Sequence, residues 1–427
     1  MKIEMVGVKG TGMSALAIVL KQLGHDVKGS DIDKKIFTQE GLEKNGIRVN
    51  GFSTSNLDDI DLLISGHNFI DSDNIEISEA KKKNIKIVEY HEFLESLIQD
   101  YYSIAICGSN GKSTTTALVS TILDNIENTS YLIGSGEGKG SSDSKYFTFE
   151  ACEHQKHFLV YHPDLILVNN IDYDHVDFYK SEEEYIKAFY EFIKNAKDKV
   201  IVNGDDKNLK DLKSVIYFGI ENKTMFHASN IKYDNGIDYD LFYKEEYLGH
   251  VHLDFYGEYM VYDSLAALTC AISLGVEVKV AIEALKKFKG VKRRFKETII
   301  NDDVYIDDYA HHPSKIRAII SAIRQKYKNK KIYVFYRPDR ASRLNYFSSL
   351  FARELLKVNK AYILPFLNMG EEESNSIESF LKENPKIKLV SDNIYKKVSK
   401  EKGVVYLMVS SKDVSEVKEN ILRYKGD

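Results

Sequence analysis

The stretch GSNGKST at residues 108–114 sets two glycines, a lysine and hydroxyl side chains next to one another. Those residue types cradle polyphosphate. Glycines let backbone N–H groups approach the anion, lysine adds a point charge, and a serine or threonine oxygen can reach Mg2+. The common form of such a loop opens on an earlier glycine, and counting back from Gly111 puts Ile106 at that position. The neighbouring residues still favour a phosphate site. Residues 103–107, SIAIC, read as a buried parallel strand, and Ala117, Leu118, Ile122 and Leu123 recur at helical spacing. A strand, a glycine turn and a helix start gather free N–H groups and the positive end of a helix dipole at one point.

Carboxylates and a histidine follow at the ends of later apolar runs. Glu150 and Glu153 close KYFTFEACE, and Asp172, Asp174 and His175 close PDLILVNNIDYDH. The carboxyl ends of strands in an open α/β sheet are where ligands are held, and acids beside a phosphate loop suit Mg2+. Further on, VYIDDYAHHPSK and KIYVFYRPDRASRL each run a strand into a polar turn. Such turns could converge on an anion, with Arg340 and Arg343 as the forked donors; the alternative is a solvated helix face. At the start of the chain, KIEMVGVKGTGMSALA opens a βαβ unit in which Gly7, Gly10 and Gly12 miss the dinucleotide spacing. That turn either receives a phosphate-bearing ligand near Met13 and Ser14 or serves helix packing alone.

These motifs need a frame of several sheets. At 427 residues the chain exceeds one compact core, and its apolar runs fall into three blocks: 1–97, 98–296 and 297–427. Each alternates strand and helix patterns, so the expected class is α/β. The net charge of -5 gives no general attraction to nucleic acid or to an anionic membrane. No apolar run reaches spanning length, so no membrane insertion is expected. The three cysteines, Cys107, Cys152 and Cys270, are widely spaced and odd in number, which fits a reduced, cytoplasmic compartment.

The blocks, in this order, resemble the Mur ligase family of peptidoglycan synthesis, and its alanine-adding branch above all. The resemblance rests on GVKGTGMSALA, GSNGKSTTT, FEACE, NNIDYDHVDFY, GVKRRF and DDYAHHPSKIRA and covers nearly the whole chain. It implies a Rossmann-like N-terminal domain for a UDP-sugar, a central P-loop ATPase-type domain and a Rossmann-like C-terminal domain for the amino acid. It also implies a shorter phosphate loop, in which Ile106 is no defect. The implied chemistry is ATP- and Mg2+-dependent ligation of L-alanine to UDP-N-acetylmuramate through an acyl-phosphate, by a monomer or weak homodimer.

Matched residue by residue, the resemblance puts ATP on Gly108, Ser109, Asn110, Gly111, Lys112, Ser113 and Thr114, with Arg294 and Asp308. It puts Mg2+ on Ser113, Glu150 and His175, and the UDP-sugar on Gly7, Gly10, Thr11, Gly12, Met13, Ser14 and Asp31. Tyr309, His311, Arg340 and Arg343 fall to the amino-acid end, and Lys112, His175, Arg294 and His311 to catalysis. An NAD-dependent dehydrogenase would leave the phosphate loop unexplained.

The chain departs from the family pattern in several places. Asn110 and Ser113 replace His and Thr in the loop; Tyr259, Met260 and Asp263 replace the His and Asn residues of the adenine segment. Asp339 replaces a histidine, and Ser410, Ser411 and Lys412 replace a Gly-Ala-Gly turn. They leave open a divergent ligase for another amino acid or a recycled muropeptide, and a non-catalytic nucleotide-sugar-binding homologue. A base held without amide hydrogen bonds leaves fewer polar groups unpaired when the wrong base enters. The expected outcome is a smaller ATP-over-GTP ratio of kcat/KM than in enzymes carrying the His and Asn pair. An equal ratio would show that backbone groups read the base.

Overall fold

The computed structural model describes residues 1–34, 36–221 and 224–426. Its strands form three sheets, each from its own stretch of chain. The first contains β1 (Lys2–Val6), β2 (Asp26–Ser30), β3 (Arg48–Asn50), β4 (Leu62–Ser65) and β5 (Lys86–Glu89), all parallel, in the order β3-β2-β1-β4-β5. The chain reverses direction across this sheet between β1 and β4, which opens a crevice at their carboxyl ends. The glycine turn after β1 lies at that crevice, and the helix Thr11–Gln22 follows it.

The central sheet begins with β6 (Tyr102–Cys107), β7 (Thr129–Ile133), β8 (Glu137–Lys139) and β9 (Tyr146–Glu150). It continues with β10 (Leu165–Val168), β11 (Lys199–Asn203) and β12 (Ile216–Gly219). An antiparallel extension follows: β13 (Phe226–Lys232), β14 (Ile237–Tyr243) and β15 (Glu246–Leu253). The ten strands run β15-β14-β13-β12-β11-β10-β6-β9-β7-β8, so β6 sits inside the sheet between β10 and β9. Its residues Ile104, Ala105, Ile106 and Cys107 have no exposed surface, as an apolar run flanked on both faces by helices requires. The third sheet contains β16 (Lys296–Ile300), β17 (Asp303–Asp308), β18 (Lys331–Tyr336), β19 (Lys360–Ile363), β20 (Lys388–Leu389) and β21 (Val404–Val409). Its order is β16-β17-β21-β18-β19-β20, with only β16 antiparallel.

Two packing features position the site. One apolar core runs without a break from Ile3 and Leu16 in the first unit to Phe149, Phe158 and Tyr185 in the central one. At this seam the β7–β8 hairpin lies against the helix Thr11–Gln22, and a Cβ on Gly138 would come within 2.3 Å of the Ala15 carbonyl oxygen. Only glycine permits that approach. The third sheet has separate cores on its two faces, and the central unit packs Tyr173 and Val176 against one of them. No helix among the described residues is long and apolar enough to cross a membrane.

Candidate active site

The three units meet around one cavity of about 1310 Å³. The phosphate loop forms its floor. β6 ends at Cys107, and Gly108 and Gly111 then take φ of +133° and +82°, a region that favours glycine. A Cβ on Gly111 would meet Asp263 Oδ1 at 2.3 Å and Asn169 Nδ2 at 2.6 Å, so shape and backbone both demand glycine there. Ile106 is buried inside β6, which explains why the glycine frame starts only at Gly108. The loop is pinned from outside. Asn110 N–H donates to Asn170 Oδ1 at 2.9 Å, and Ser109 Oγ lies 2.8 Å from the Tyr185 hydroxyl while accepting from Asp172 N–H at 2.8 Å. The helix Lys112–Asp124 begins immediately after Gly111, aiming its unsatisfied N–H groups into the cavity.

Lys112 has a carboxylate partner. Its Nζ donates to Glu153 Oε2 at 2.8 Å and Oε1 at 3.1 Å, and to the Gly108 carbonyl. His175 Nε2 lies 3.6 Å from Glu153 Oε1 on the other side. Burial alone would raise the Glu153 carboxyl, but Lys112 and His175 hold it well below the usual carboxylate range. His175 adopts φ +53°, a strained conformation for a side chain with a Cβ. Its Nδ1 is buried without a hydrogen-bond partner among the described residues. A buried carboxylate, an imidazole nitrogen without a partner and the Ser113 hydroxyl make a donor set that fits a divalent cation.

Glu150, the carboxylate expected at this point, is placed differently. It is the last residue of β9, and its Oε1 accepts from Gly134 N–H at the end of β7. The chain then leaves the sheet, and the loop carries Glu153 rather than Glu150 to Lys112 and His175. Both acids line the cavity. FEACE contains both, and spacing alone could not say which one the loop brings inward.

The third unit supplies the opposite wall. Asp308, at the end of β17, accepts from Phe295 N–H and Ala310 N–H, each at 2.8 Å, and so braces the turn that carries Arg294 and Tyr309. Arg294 lies 4.8 Å from the Tyr309 ring centroid and donates to Ser113 Oγ at 3.4 Å, reaching across to the phosphate loop. His311 Nδ1 lies 2.8 Å from the Tyr309 carbonyl oxygen. Burial, with Lys315 and Arg343 nearby, pushes its pKa well below the usual histidine value.

Arg340 and Arg343 do not line the cavity. Arg343 is 3% exposed and lies between two acids: Nη2 is 2.8 Å from Asp174 Oδ1 and Nη1 is 2.5 Å from Asp339 Oδ2. Arg340 pairs with Asp177. The fork expected to receive an amino-acid carboxylate is therefore already filled by the protein's own carboxylates, and it joins the third unit to the central one. The turn at residues 410–412 is likewise fastened internally, since Arg293 Nη2 donates to the Ser410 and Lys412 carbonyls at 2.9 and 2.8 Å.

In the first unit Gly7, Gly10, Thr11, Gly12, Met13 and Asp31 line the cavity. Asp31 accepts from Lys9 N–H and Ile32 N–H, each at 2.7 Å, which stiffens the turn. Ser14 is fully buried and donates to the Thr11 carbonyl, away from the cavity. Burial pushes His91 down to about 3 and His157 to about 4, helped by the neighbouring imidazoles. In the adenine segment Tyr259 and Asp263 line the cavity, whereas Met260 belongs to the core. Burial raises Asp263 to about 8.

The sequence reading passed over Lys315. It lies in the first turn of the helix Pro313–Lys326, where the helix dipole opposes a cation, and that opposition was the available signal. It lines the cavity, and its amine has no hydrogen bond or ion pair among the described residues. Burial lowers its pKa from 10.5 to about 8; Asp174 opposes the shift, while Lys112, Arg294 and Arg343 add to it. Lys112, Arg294 and Lys315 thus bring three cations to the part of the cavity around the phosphate loop, which suits an anionic ligand.

A fold of three α/β units around one phosphate-loop cavity defines a class of nucleotide-dependent enzymes, and the comparisons agree. Residues 2–102 match the family described as Mur ligase family, catalytic domain; residues 106–271 the Mur ligase middle domain; and residues 293–410 the Mur ligase, glutamate ligase domain. The chain belongs to the Mur ligase family. It is 40% identical over 378 residues to a UDP-N-acetylmuramate–L-alanine ligase of Lacticaseibacillus paracasei, covering 88% of this chain and 86% of the relative. A protein of the same name from Streptococcus agalactiae is 38% identical over 374 residues, covering 87% and 84%. The crystal structure of a UDP-N-acetylmuramate–alanine ligase from Thermotoga maritima superposes with a TM-score of 0.83 at 25% identity, covering 100% of this chain and 99% of that one.

An anion bound beside Lys315 raises its pKa back toward 10.5. Between about pH 8 and 10.5, where the amine of the free protein is largely neutral, ATP binding should take up a proton. Calorimetry at pH 9 in buffers of differing ionisation enthalpy should show that uptake, and Lys315→Met should abolish it. Equal uptake by both proteins would remove Lys315 from the anion site.

Proposed function

We propose that this chain is a cytoplasmic ATP-dependent ligase that joins L-alanine to the carboxylate of UDP-N-acetylmuramate in peptidoglycan precursor synthesis, acting as a monomer or weak homodimer. The observation that carries the reading is the phosphate loop, whose Lys112 faces a buried Glu153–His175 pair across a cavity that all three units line. The glycine turn after β1 takes the UDP-sugar, the phosphate loop takes ATP, and the wall of Tyr309 and His311 takes the amino acid.

In the first half-reaction a carboxylate oxygen of the sugar attacks the γ-phosphorus of ATP. The bond to the ADP oxygen breaks, and ADP leaves with that electron pair. In the second, the amine of L-alanine attacks the acyl carbon, phosphate leaves with the electrons of the carbon–oxygen bond, and the nitrogen loses a proton. Phosphoryl transfer needs positioning and charge neutralisation more than covalent help. Lys112, Arg294 and Lys315 provide the positive side. Glu153 holds Lys112 in place until the phosphates arrive and limits charge repulsion among the three cations until then. Ser113, Glu153 and His175, with Glu150 close by, would hold Mg2+, which supplies charge neutralisation on phosphate oxygens when bound. Tyr259 offers its ring to the adenine.

The test is phosphate release from ATP with UDP-N-acetylmuramate and, in turn, L-alanine, glycine, L-serine or a muropeptide-derived tripeptide. Release should require the sugar nucleotide and be fastest with L-alanine; faster release with another acceptor would overturn the substrate assignment. Lys112→Ala should lower release at least about 100-fold, the usual cost of losing one charge-stabilising donor. UDP-N-acetylmuramate binding should be nearly unchanged, because its turn lies in a different unit. Wild-type turnover by Lys112→Ala would contradict the phosphate-loop assignment.

A further inference from the structure

Away from the phosphate loop, three histidines and a carboxylate converge where the first unit meets the central one. β5 ends at Glu89, whose Oε1 lies 2.7 Å from Nδ1 of His67, the residue that opens the short helix after β4. The ring of His157, from the central unit, packs on His67 edge to face with centroids 4.3 Å apart. His91 stacks on the other face of His157 at 4.1 Å and is oriented by the Tyr161 hydroxyl, 2.7 Å from its Nδ1. His157 Nε2 is buried and has no hydrogen-bond partner among the described residues. A polar nitrogen buried in this way costs stability unless something fills its lone pair or takes its proton.

One ligand atom from each of His67, Glu89 and His157 lies within 4.8 Å of the other two. Tetrahedral coordination at about 2.0–2.1 Å sets neighbouring ligand atoms roughly 3.3–3.5 Å apart, so rotamer adjustments on the order of 1 Å close the set. Two imidazoles and one carboxylate are the donors of a borderline metal, whereas Mg2+ takes most of its ligands from oxygen. We propose that His67, Glu89 and His157 form a site for a divalent transition metal of the Zn2+ class, which fastens the first unit to the central one at the rim of the cavity. Two ligands come from the first unit and one from the central unit, so the metal acts as a cross-unit staple. It is separate from the Ser113, Glu153 and His175 set, with His154 between the two: its ring lies 6.2 Å from His157 and 4.6 Å from His175.

The test uses the full-length protein with Co2+ or Zn2+ as the only transition metal and Mg2+ in excess. One equivalent of Co2+ should give the intense visible bands of tetrahedral coordination. Zn2+ should displace it and raise the thermal midpoint. His67 is exposed, so His67→Ala should fold normally; this variant and His157→Ala should each lose the bands and bind Zn2+ at least about 10-fold more weakly. His250→Ala, on the exposed β15 edge where His250 pairs with Asp238 and Asp240, should behave as wild type. Three results would each overturn the proposal: no tetrahedral band, Zn2+ affinity unchanged in both cavity-rim variants, or loss of binding only in His250→Ala.

Discussion

The arrangement of the site depends on one buried guanidinium. Arg343 joins Asp174 of the central unit to Asp339 of its own unit, with all three side chains less than a tenth exposed. Two carboxylates around one arginine leave one negative charge over, and Lys315 near Asp174 and the Ser411 hydroxyl on Asp339 Oδ2 help the buried cluster to hold it. The central unit also packs Tyr173 and Val176 against one core of the third sheet, and the polar cluster beside them fixes how its wall faces the phosphate loop. The consequence reaches the chemistry through adjacent residues. Asp174 turns toward Arg343 while His175, at φ +53°, turns toward Glu153. Docking of the third unit and placement of the carboxylate beside Lys112 are thus set by one strained dipeptide.

The charge pattern follows from that geometry. Lys112, Arg294 and Lys315 are among the cations that line the cavity, and of these three Lys112 alone has a carboxylate within ion-pair reach among the described residues. Lys315 has its pKa lowered to about 8 chiefly by burial, with the neighbouring cations adding to the shift. Polyphosphate balances those cations, so the site is better suited to charged ligand than to water. In the first unit the glycine turn after β1 lines the cavity with backbone, and the two regions can hold different substrates of one reaction.

Much of this was legible in the sequence because local pattern carries it. The phosphate loop, the strand before it and the helix after it are one contiguous stretch, and the glycines at 108 and 111 have the left-handed backbone their type permits. The three-unit order was readable from motifs spread along the chain. What local pattern could not supply was side-chain orientation, within a unit or across units. Glu150 and Glu153 are three residues apart on a chain leaving a strand, and no periodicity rule says which one turns inward. Arg343 matched a carboxylate-binding fork by type, yet its partner Asp174 lies 169 positions earlier, beyond the reach of local spacing. Lys315 was hidden in an ordinary helix start, and only the surrounding cations give it meaning.

A double-mutant cycle on Asp174 and Arg343, read as kcat/KM for ATP-dependent phosphate release, tests most directly whether the buried cluster assembles the site. Removing one member of a buried pair strands the other and costs about 3–5 kcal/mol, so Asp174→Asn and Arg343→Met should each lose activity steeply. The account predicts strong coupling, with the double variant no worse than the poorer single one. Losses that multiply, as they would for independent sites, would contradict it.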